Sequence, residues 1–417
     1  MKKIMAGMIM GSLLFFAGCG DLHQPVNEQV DGGEVVVDLD GNTIKQSLLA
    51  ASFPGVDENT TVCGYKAFKI PYITTDEEGN EVAVSGLMAI PTGICEAFNT
   101  IGFSVVSDDH GTIFKNAEAP VVDAETNNAP SGAAIIMTSL SAFVTLEPDY
   151  IGFGDSNDHY HPFVLKKSLA NATVDFIVAA REFALKNNIR LNGQLYLTGY
   201  SEGGFAAMAT LQKIEMEHLD INVTLAAPMA GPYDMNTSAF GVLSQPTLVV
   251  PSFVADIGYA YAKASHQPLD SVFNEPYGSK LDSLFDGSLD RTEIDPQLTT
   301  KTTGDDGLFR QDFHDNFFID PNQWFRQAVV ENSVHAWAPQ TRVRLIHCRG
   351  DEVIPYTMSL WTRGTMKTIK PTADVEVVPV EDFLGIPYDV GHADCGPIAY
   401  GVAAQIFAAE RNATIGY

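Results

Sequence analysis

Apolar and polar positions follow one another along the chain in a rhythm that predicts alternating strands and helices. Short apolar runs at residues 100–107, 193–199 and 223–231 are typical of buried strands. Between these runs, residues 168–186 and 202–219 place apolar side chains at helical spacing. This alternation predicts the α/β fold class, with a mostly parallel sheet that helices flank on both faces.

A β-hairpin is predicted before this alternation begins. The strand-like stretches 65–74 and 81–91 are joined by the turn sequence TDEEGN. Cys63 and Cys95 flank the two stretches, and the midpoint between them falls in the turn. We therefore expect a disulfide between them at the base of the hairpin, the alternative being two separate buried thiols.

The strand–helix rhythm breaks between residues 233 and 339. This segment is rich in aspartate, proline, glycine and aromatic residues and has no strong strand pattern, so it predicts a mainly helical cap inserted into the fold. The sheet pattern resumes at residue 341, and a helical pattern at 398–412 ends the chain. The predicted core therefore comprises residues 45–232 and 340–417.

The N-terminal residues predict export. MKK supplies a positive charge, and residues 4–18 form an apolar stretch too short to span a bilayer comfortably. FAGC resembles a bacterial lipobox, in which the cysteine is lipidated, although Phe16 stands where that pattern prefers leucine. This implies a signal peptide over 1–18 and a lipid anchor on Cys19 at the bacterial cell envelope, on its periplasmic face or outer surface. The polar, acidic residues from Gly20 to about Val36 are expected to form a tether, within an N-terminal extension over residues 19–44. The alternative for the apolar stretch is a buried helix.

The charge of the chain restricts its partners. The 417 residues include 25 Lys and Arg and 52 Asp and Glu, which gives a net charge of −27. Such a surface repels phosphate backbones and anionic headgroups, so we expect no nucleic-acid partner. Neutral lipids and small-molecule esters remain compatible with it, and we expect contact with the membrane through the N-terminal lipid.

Ser201 lies in the glycine-rich sequence GYSEGG, between a predicted strand and a predicted helix. This Gly-x-Ser-x-Gly pattern is typical of a strained turn that lifts a serine hydroxyl clear of the sheet edge. Gly199 and Gly203 would relieve the crowding that such a turn creates. We therefore predict that Ser201 is a nucleophile, the alternative being an N-cap serine in a glycine-rich helix cap.

A nucleophilic serine needs a base, and the base needs an orienting acid. After a nucleophile at a strand-to-helix turn, the acid and the histidine follow in chain order. Asp351 follows an apolar strand, and His392 lies in a loop before the last helix, so we predict that they are the acid and the base. Asp234 is the alternative acid, and Cys395 beside His392 is a weaker alternative nucleophile.

Backbone N–H groups near Ser201 are candidates for an oxyanion hole. The N–H of Glu202 should point to the same place as the serine hydroxyl. The sequence DDHGT follows an early strand, where a His-Gly turn supplies a second donor, which we assign to Thr112 or else Gly111. The alternative is an ordinary turn with a satisfied histidine. The predicted substrate pocket includes His110, Tyr200 and His161.

The loop at residues 154–163 has the composition of a metal site but is not predicted to be one. It contains Asp155, Asp158, His159 and His161. No further ligand pair at metal-site spacing occurs in the chain, so a pocket rim or a structured loop is the better interpretation. We predict no metal and no cofactor.

Cys348 and Cys395 lie three residues from Asp351 and His392, respectively. If the acid and the base touch, these cysteines must lie near each other. A second disulfide between them is therefore expected, and it would brace the two loops that hold the acid and the base.

Taken together, these motifs resemble those of the secretory lipases with the α/β-hydrolase fold and their bacterial relatives. The resemblance extends from about Tyr65 to the end of the chain and includes EPDYIGFGDS, GYSEGGFAAM, HCRGDEVIPY and GHADCGP. It implies hydrolysis of carboxylic esters with Ser201, Asp351 and His392 as the triad. A serine peptidase on the same fold and a catalytically silent binding lipoprotein are the alternatives.

Aromatic residues of the cap carry the remaining information about substrate. They must pack somewhere, because an exposed acidic loop cannot satisfy them all. Either they form a core of the cap, or part of the set lines an acyl or aryl pocket above Ser201. The set comprises Phe253, Tyr259, Tyr261, Phe309, Phe313, Phe317, Phe318, Trp324, Phe325 and Trp337.

Overall fold

The computed structural model of the protein describes residues 28–30 and 32–415. The predicted signal peptide, the lipidation site Cys19 and the first residues of the predicted tether lie outside the described residues. Within them, no helix combines the length and the apolar character that crossing a membrane requires.

A single ten-stranded sheet forms the centre of the described structure, in the order β1-β2-β3-β4-β6-β5-β7-β8-β9-β10. The first four strands and the β4–β6 pair are antiparallel, and the strands from β6 to β10 are parallel. The strands are β1 (Glu28–Val30), β2 (Gly33–Leu39), β3 (Gly64–Thr75), β4 (Glu81–Thr92), β5 (Phe103–Asp109), β6 (Val144–Pro148), β7 (Leu191–Tyr200), β8 (Leu225–Met229), β9 (Val343–His347) and β10 (Val375–Pro379).

Helices cover both faces of this sheet. Side chains alternate along β7, so that Leu197 packs into the core on one face of the sheet while Tyr196 packs against Phe407 on the other face. The α-helices of eight or more described residues are α1 (Gly41–Ala50), α2 (Pro120–Asn127), α3 (Lys166–Lys186), α4 (Glu202–Met216), α5 (Met235–Leu243), α6 (Pro251–Ala264), α7 (Gln311–Ile319), α8 (Trp324–Glu331), α9 (Thr357–Ile369) and α10 (His392–Ile415).

The expected tether, from Gly20 to about Val36, is wrong at its C-terminal end. Residues 33–39 form β2, which pairs with β3 at the antiparallel end of the sheet. Val35, Val36 and Val37 are fully buried in it, because three consecutive β-branched side chains fit a strand that is covered on both faces. The side chain of Asp40 then caps α1. The tether was predicted from the acidic composition of the segment as a whole, in which this short valine run was overlooked.

The predicted hairpin is formed by β3 and β4, which pair over their full length. A disulfide joins Cys63 to Cys95 at its base, with their Cα atoms 5.4 Å apart. A second disulfide joins Cys348 to Cys395, with a Cα–Cα distance of 6.0 Å. These are the two pairs that the sequence led us to expect.

Residues 233–339 contain helices α5 to α8 together with short helical turns. Most of the aromatic set expected in this cap is buried and stacked within the cap itself. Phe309, for example, lies 5.3 Å from Phe273 and 5.6 Å from Phe313 between ring centroids. The interpretation of these rings as the core of the cap therefore applies to most of them, and the half-buried Phe253 is one of the exceptions.

Candidate active site

The turn between β7 and α4 holds Ser201 in a strained conformation. Its φ of 60° and ψ of −116° fall in a region of backbone conformation that residues other than glycine rarely adopt. The adjacent helix approaches the strand β5 so closely that a Cβ on Gly203 would lie 1.8 Å from the carbonyl oxygen of Asp109. Glycine at 203 is therefore required for the turn to pack, as the sequence pattern predicted.

A chain of hydrogen bonds links Ser201, His392 and Asp351. The Oγ of Ser201 lies 3.0 Å from Nε2 of His392, and Nδ1 of His392 lies 2.7 Å from Oδ2 of Asp351. Because an ionised carboxylate only accepts, Nδ1 carries the proton and Nε2 is free to accept from the serine hydroxyl. This arrangement can remove a proton from Ser201 as its oxygen attacks an electrophile.

Asp351 is held in place by the turn that follows β9. Its Oδ1 accepts hydrogen bonds from the backbone N–H groups of Val353, at 3.0 Å, and Ile354, at 2.7 Å. Burial opposes its charge, but hydrogen bonds from His347 and His392 outweigh burial and lower the pKa of Asp351 to about 2. The carboxyl group is therefore ionised across the neutral range.

Three supporting residues were not predicted in these roles. His347 lies 3.2 Å from Oδ2 of Asp351 and is fully buried. The carboxylate of Glu352 accepts the backbone N–H of His392, and the hydroxyl of Tyr200 donates to the carbonyl oxygen of His392 at 2.6 Å. Together they fix the acid and the start of α10, and only contacts between distant segments could have revealed them. His392 is the first residue of α10, so its predicted place in a loop before the last helix is wrong.

The predicted oxyanion donors lie close to the serine turn. Glu202 is the first residue of α4, where backbone N–H groups lack partners within the helix. A Cβ on Gly111 would lie 3.1 Å from the carbonyl oxygen of Tyr200, the residue before Ser201. Thr112 is the next residue along this loop and is half-buried. The oxyanion role of these N–H groups stays a prediction.

The three predicted pocket residues make hydrogen bonds within the protein. Tyr200 binds His392 as described above, and His161 lies 2.8 Å from a carboxylate oxygen of Glu202. The ring of His110 faces the carbonyl oxygens of Gly111, at 2.8 Å, and Asp149, at 3.3 Å. These contacts hold the site's backbone, and a direct contact of these side chains with substrate stays a prediction.

The alternative site residues are engaged elsewhere. Asp234 caps α5 through Thr237 and accepts a hydrogen bond from the indole of Trp361, 3.0 Å away. Cys395 is in a disulfide. His159 is exposed, and no group of three metal-binding side chains is found in the part of the chain that the structure describes.

The cap contacts the serine side of the core through α6. The ring of Phe253 stacks on Phe114, two residues beyond Thr112, with centroids 5.8 Å apart. The hydroxyl of Tyr261 donates to the carbonyl oxygen of Val164 at 3.1 Å. The cap is therefore anchored on the loops next to Ser201.

Two cavities in the described structure lie outside the hydrogen-bonded chain of Ser201. One, of about 450 Å³, lies between the β3–β4 turn and the cap and is lined in part by Tyr160 and Tyr259. The other, of about 630 Å³, lies where α3 and α4 meet the cap. Ser201 lines neither, so neither cavity is assigned to the candidate active site.

Comparison with solved structures gives extensive matches. A protein from Legionella pneumophila is 23% identical, covering 90% of this chain and 96% of its own, with a TM-score of 0.78. The rice cell wall degrading esterase LipA from Xanthomonas oryzae is 22% identical, and the match covers 91% of this chain and 96% of LipA with a TM-score of 0.75. Candida antarctica lipase A is 15% identical, and the match covers 79% of this chain and 73% of the lipase with a TM-score of 0.57.

The chain has the α/β-hydrolase fold. The strand order and the helices on both faces agree with these structural matches, and the predicted fold class is confirmed. No protein-family model and no curated protein sequence matches the chain. At these identities the likeness establishes the fold, and function must be argued from the site.

Proposed function

We propose that this protein is a serine carboxylic ester hydrolase of the lipase/esterase type. The observation that carries the proposal is the continuous chain of hydrogen bonds from Ser201 through His392 to Asp351, with the serine on a strained strand-to-helix turn. The esterase and lipase among the structural matches support the ester chemistry.

In the proposed reaction, Ser201 Oγ attacks the ester carbonyl while Nε2 of His392 takes the hydroxyl proton. Asp351 stabilises the imidazolium that forms, and the N–H groups of Glu202 and Thr112 donate to the oxyanion. His392 then delivers the proton to the leaving alcohol, which leaves an acyl group on Ser201. Water releases this acyl group through the same sequence of steps, and no metal or cofactor takes part.

Labelling with a fluorophosphonate probe tests the nucleophile. We expect a covalent adduct on Ser201, and the variant Ser201→Ala should lose the adduct and at least on the order of 10⁴-fold in kcat. The matched control is Ser283→Ala, which removes an exposed cap serine. Near-native hydrolysis by Ser201→Ala would contradict the assignment. If the protein cleaved aminoacyl anilides in preference to p-nitrophenyl esters, its activity would be that of a peptidase and not of an esterase.

We further propose that a lipid on Cys19 holds the enzyme at the bacterial cell envelope. The sequence FAGC supports this part of the proposal. Mass spectrometry of the protein purified from envelopes should find a mature chain that begins at a diacylglyceryl-modified Cys19. The variant Cys19→Ala should leave the membrane fraction. A mature chain that is cut elsewhere and carries no lipid would refute the anchor without affecting the proposed hydrolysis.

A further inference from the structure

His161 and Glu202 form a buried pair directly beside the serine turn. Nε2 of His161 lies 2.8 Å from Oε1 of Glu202, and both residues are almost completely inaccessible to solvent. Glu202 follows Ser201 in the chain, and its N–H is the proposed oxyanion donor. A charge on this side chain therefore acts at short range on any negative charge that develops at the reacting carbonyl.

The hydrogen bonds of the pair fix how many protons it holds. Nδ1 of His161 lies 2.9 Å from the carbonyl oxygen of Ile151, and because a carbonyl only accepts, Nδ1 carries a proton. Between Nε2 and the Oε1 of Glu202 there must be one more proton, which lies on either atom. The pair is therefore an imidazolium with a carboxylate, or a neutral imidazole with a carboxyl group. Both forms have zero net charge.

Without the histidine, the carboxylate of Glu202 would be poorly compensated. Its Oε2 is buried and has no hydrogen-bond partner among the described residues. Among the described residues, Oε1 receives, besides the contact with His161, only a long hydrogen bond of 3.4 Å from the N–H of Val164. A lone negative charge at this position would repel the oxyanion of a tetrahedral intermediate.

Among the described residues, the ionisable groups that face the pair from neighbouring elements are Asp256, Tyr150 and His110. Burial raises the pKa of Asp256, on the cap helix α6, well above its ordinary value, and burial likewise raises the pKa of Tyr150. Burial lowers the pKa of His110. Burial thus disfavours the charged form of each of these three groups. Burial also opposes the charge of His161, but the nearby Glu202 raises its pKa.

We propose that His161 is a positioning residue that keeps one proton in the His161–Glu202 pair and so prevents net negative charge from forming beside the oxyanion hole. The proposal rests on the proposed function and deepens it. It assigns to Glu202 two opposite influences on the reaction, a favourable one from its N–H and an unfavourable one from its side chain. The histidine neutralises the second.

The variant His161→Gln tests this, because glutamine can still donate a hydrogen bond to Glu202 but supplies no positive charge. We expect kcat to fall by about 10–100-fold near neutral pH with little change in KM. The loss of kcat relative to the wild type at the same pH should shrink toward acid pH, where a carboxyl group at position 202 carries no charge. The double variant His161→Gln/Glu202→Gln should regain at least about tenfold in kcat. The control is His159→Gln, at an exposed histidine of the same loop.

A merely structural pair would behave differently. A defect of His161→Gln that is the same at every pH, or that the second substitution fails to relieve, would overturn the proposal. Fluorophosphonate labelling of the wild type separates this failure from that of the proposed function. Absence of a Ser201 adduct there refutes the hydrolase, whereas a normal adduct with an unrelieved His161→Gln refutes the charge role alone.

If His161→Gln does not fold, the wild-type protein still provides a test. In protein with ¹⁵N-labelled histidine, the ring nitrogens of His161 should show no titration at the midpoint of an ordinary histidine, because the pair retains its shared proton. A titration of His161 with the midpoint of an ordinary histidine, about 6.5, would overturn the proposal.

Discussion

His347 lies with its Nε2 3.2 Å from Oδ2 of Asp351, the same oxygen that lies 2.7 Å from Nδ1 of His392. Its other ring nitrogen lies 2.8 Å from the hydroxyl of Ser359. The acid of the candidate triad is therefore hydrogen-bonded to two histidines. One lies on the side of Ser201, and the other is buried behind the acid.

Replacing His347 by leucine should make the stability of the protein less sensitive to acid. The depressed pKa of Asp351, about 2, means that its carboxylate stabilises the fold above roughly pH 4 and that this contribution is lost as the pH falls toward 2. In the wild type the loss amounts to about 2 kcal/mol. The variant His347→Leu should lose clearly less unfolding free energy than the wild type over this pH range. Its kcat should fall by about tenfold, because Asp351 is held less firmly.

Denaturant unfolding at a series of pH values measures this effect. The matched control is His335→Leu, which removes the histidine beside the alternative acid Asp234 and should leave both the pH dependence and kcat unchanged. If His335→Leu inactivated the enzyme and His347→Leu did not, Asp234 would be the better candidate for the acid.

Buried carboxyl groups beneath the site predict a second, opposite dependence on pH. Burial raises the pKa of Asp109 to about 8 and that of Asp149 to about 7. Their folded pKa values exceed those of the unfolded chain, so their favourable contribution is complete below roughly pH 4 and is lost as the pH rises toward 8. The protein should therefore lose on the order of several kcal/mol of unfolding free energy between these limits.

The variant Asp109→Asn should flatten this decline, because an amide cannot ionise and can still accept the hydrogen bond from Thr173. Unfolding free energies measured between pH 5 and pH 8 provide the comparison. The control is Asp158→Asn, at an exposed site, and its unfolding free energy should decline with pH as that of the wild type does. A wild-type stability that is constant or that rises over this interval would contradict the prediction.

The two disulfides should differ in their effect on catalysis. Each closes a loop of similar length, so replacing either cysteine pair by alanine should cost about 2–4 kcal/mol of stability. Cys348 directly follows β9 and Cys395 lies in the first turn of α10, so this bridge joins the segments of Asp351 and His392. Cys348→Ala/Cys395→Ala should therefore also lower kcat, by about tenfold.

The bridge at the base of the β3–β4 hairpin supplies the control. Cys63→Ala/Cys95→Ala should be destabilised to a similar degree but should keep its kcat below its unfolding temperature. Equal kcat values for the two double variants would show that the Cys348–Cys395 bridge does not position the triad. Peptide mapping without reductant should recover both bridges, and crossed pairs would refute the arrangement.

The local pattern of the sequence was enough to predict the serine turn, because Gly199, Ser201 and Gly203 are close in the chain and their conformation is a local property. The order of Ser201, Asp351 and His392 was also informative, since the carboxyl ends of parallel strands meet at one edge of the sheet. The hydrogen bonds between these side chains agree with the expected chemistry, which still requires the kinetic tests described above.

Other features could not be derived from the sequence because they depend on contacts between distant segments. The loop at residues 154–163 drew attention to His161, but no local motif shows that His161 meets Glu202 across 41 positions or that Tyr200 binds the backbone of His392. The strand β2 was missed for a different reason. Its valine run is short, and the acidic residues around it dominated the composition on which the tether was predicted.

The ring of Phe253 offers the sharpest test of the cap's role in substrate selection. It is half-buried on α6 and lies between the cap and the loop of the proposed oxyanion donor, 5.8 Å from Phe114 and 6.4 Å from Phe163. We expect an acyl or aryl group bound above Ser201 to contact this aromatic surface. Phe253→Ala should therefore change the ratio of kcat/KM between long and short acyl esters by about tenfold, since each methylene is worth about 0.8 kcal/mol.

The control is Phe318→Ala, which removes another half-buried cap ring. Phe318 contacts Phe240, Phe317 and His314, all within the cap, so its loss should leave the chain-length preference unchanged. The rate of fluorophosphonate labelling should be similar in both variants, because neither touches the triad. A preference that moved equally in both variants would reflect a loosened cap, whereas no change in Phe253→Ala would place the acyl group elsewhere. The expected result, a shift confined to Phe253→Ala, would locate the acyl group between α6 and the loop that follows β5.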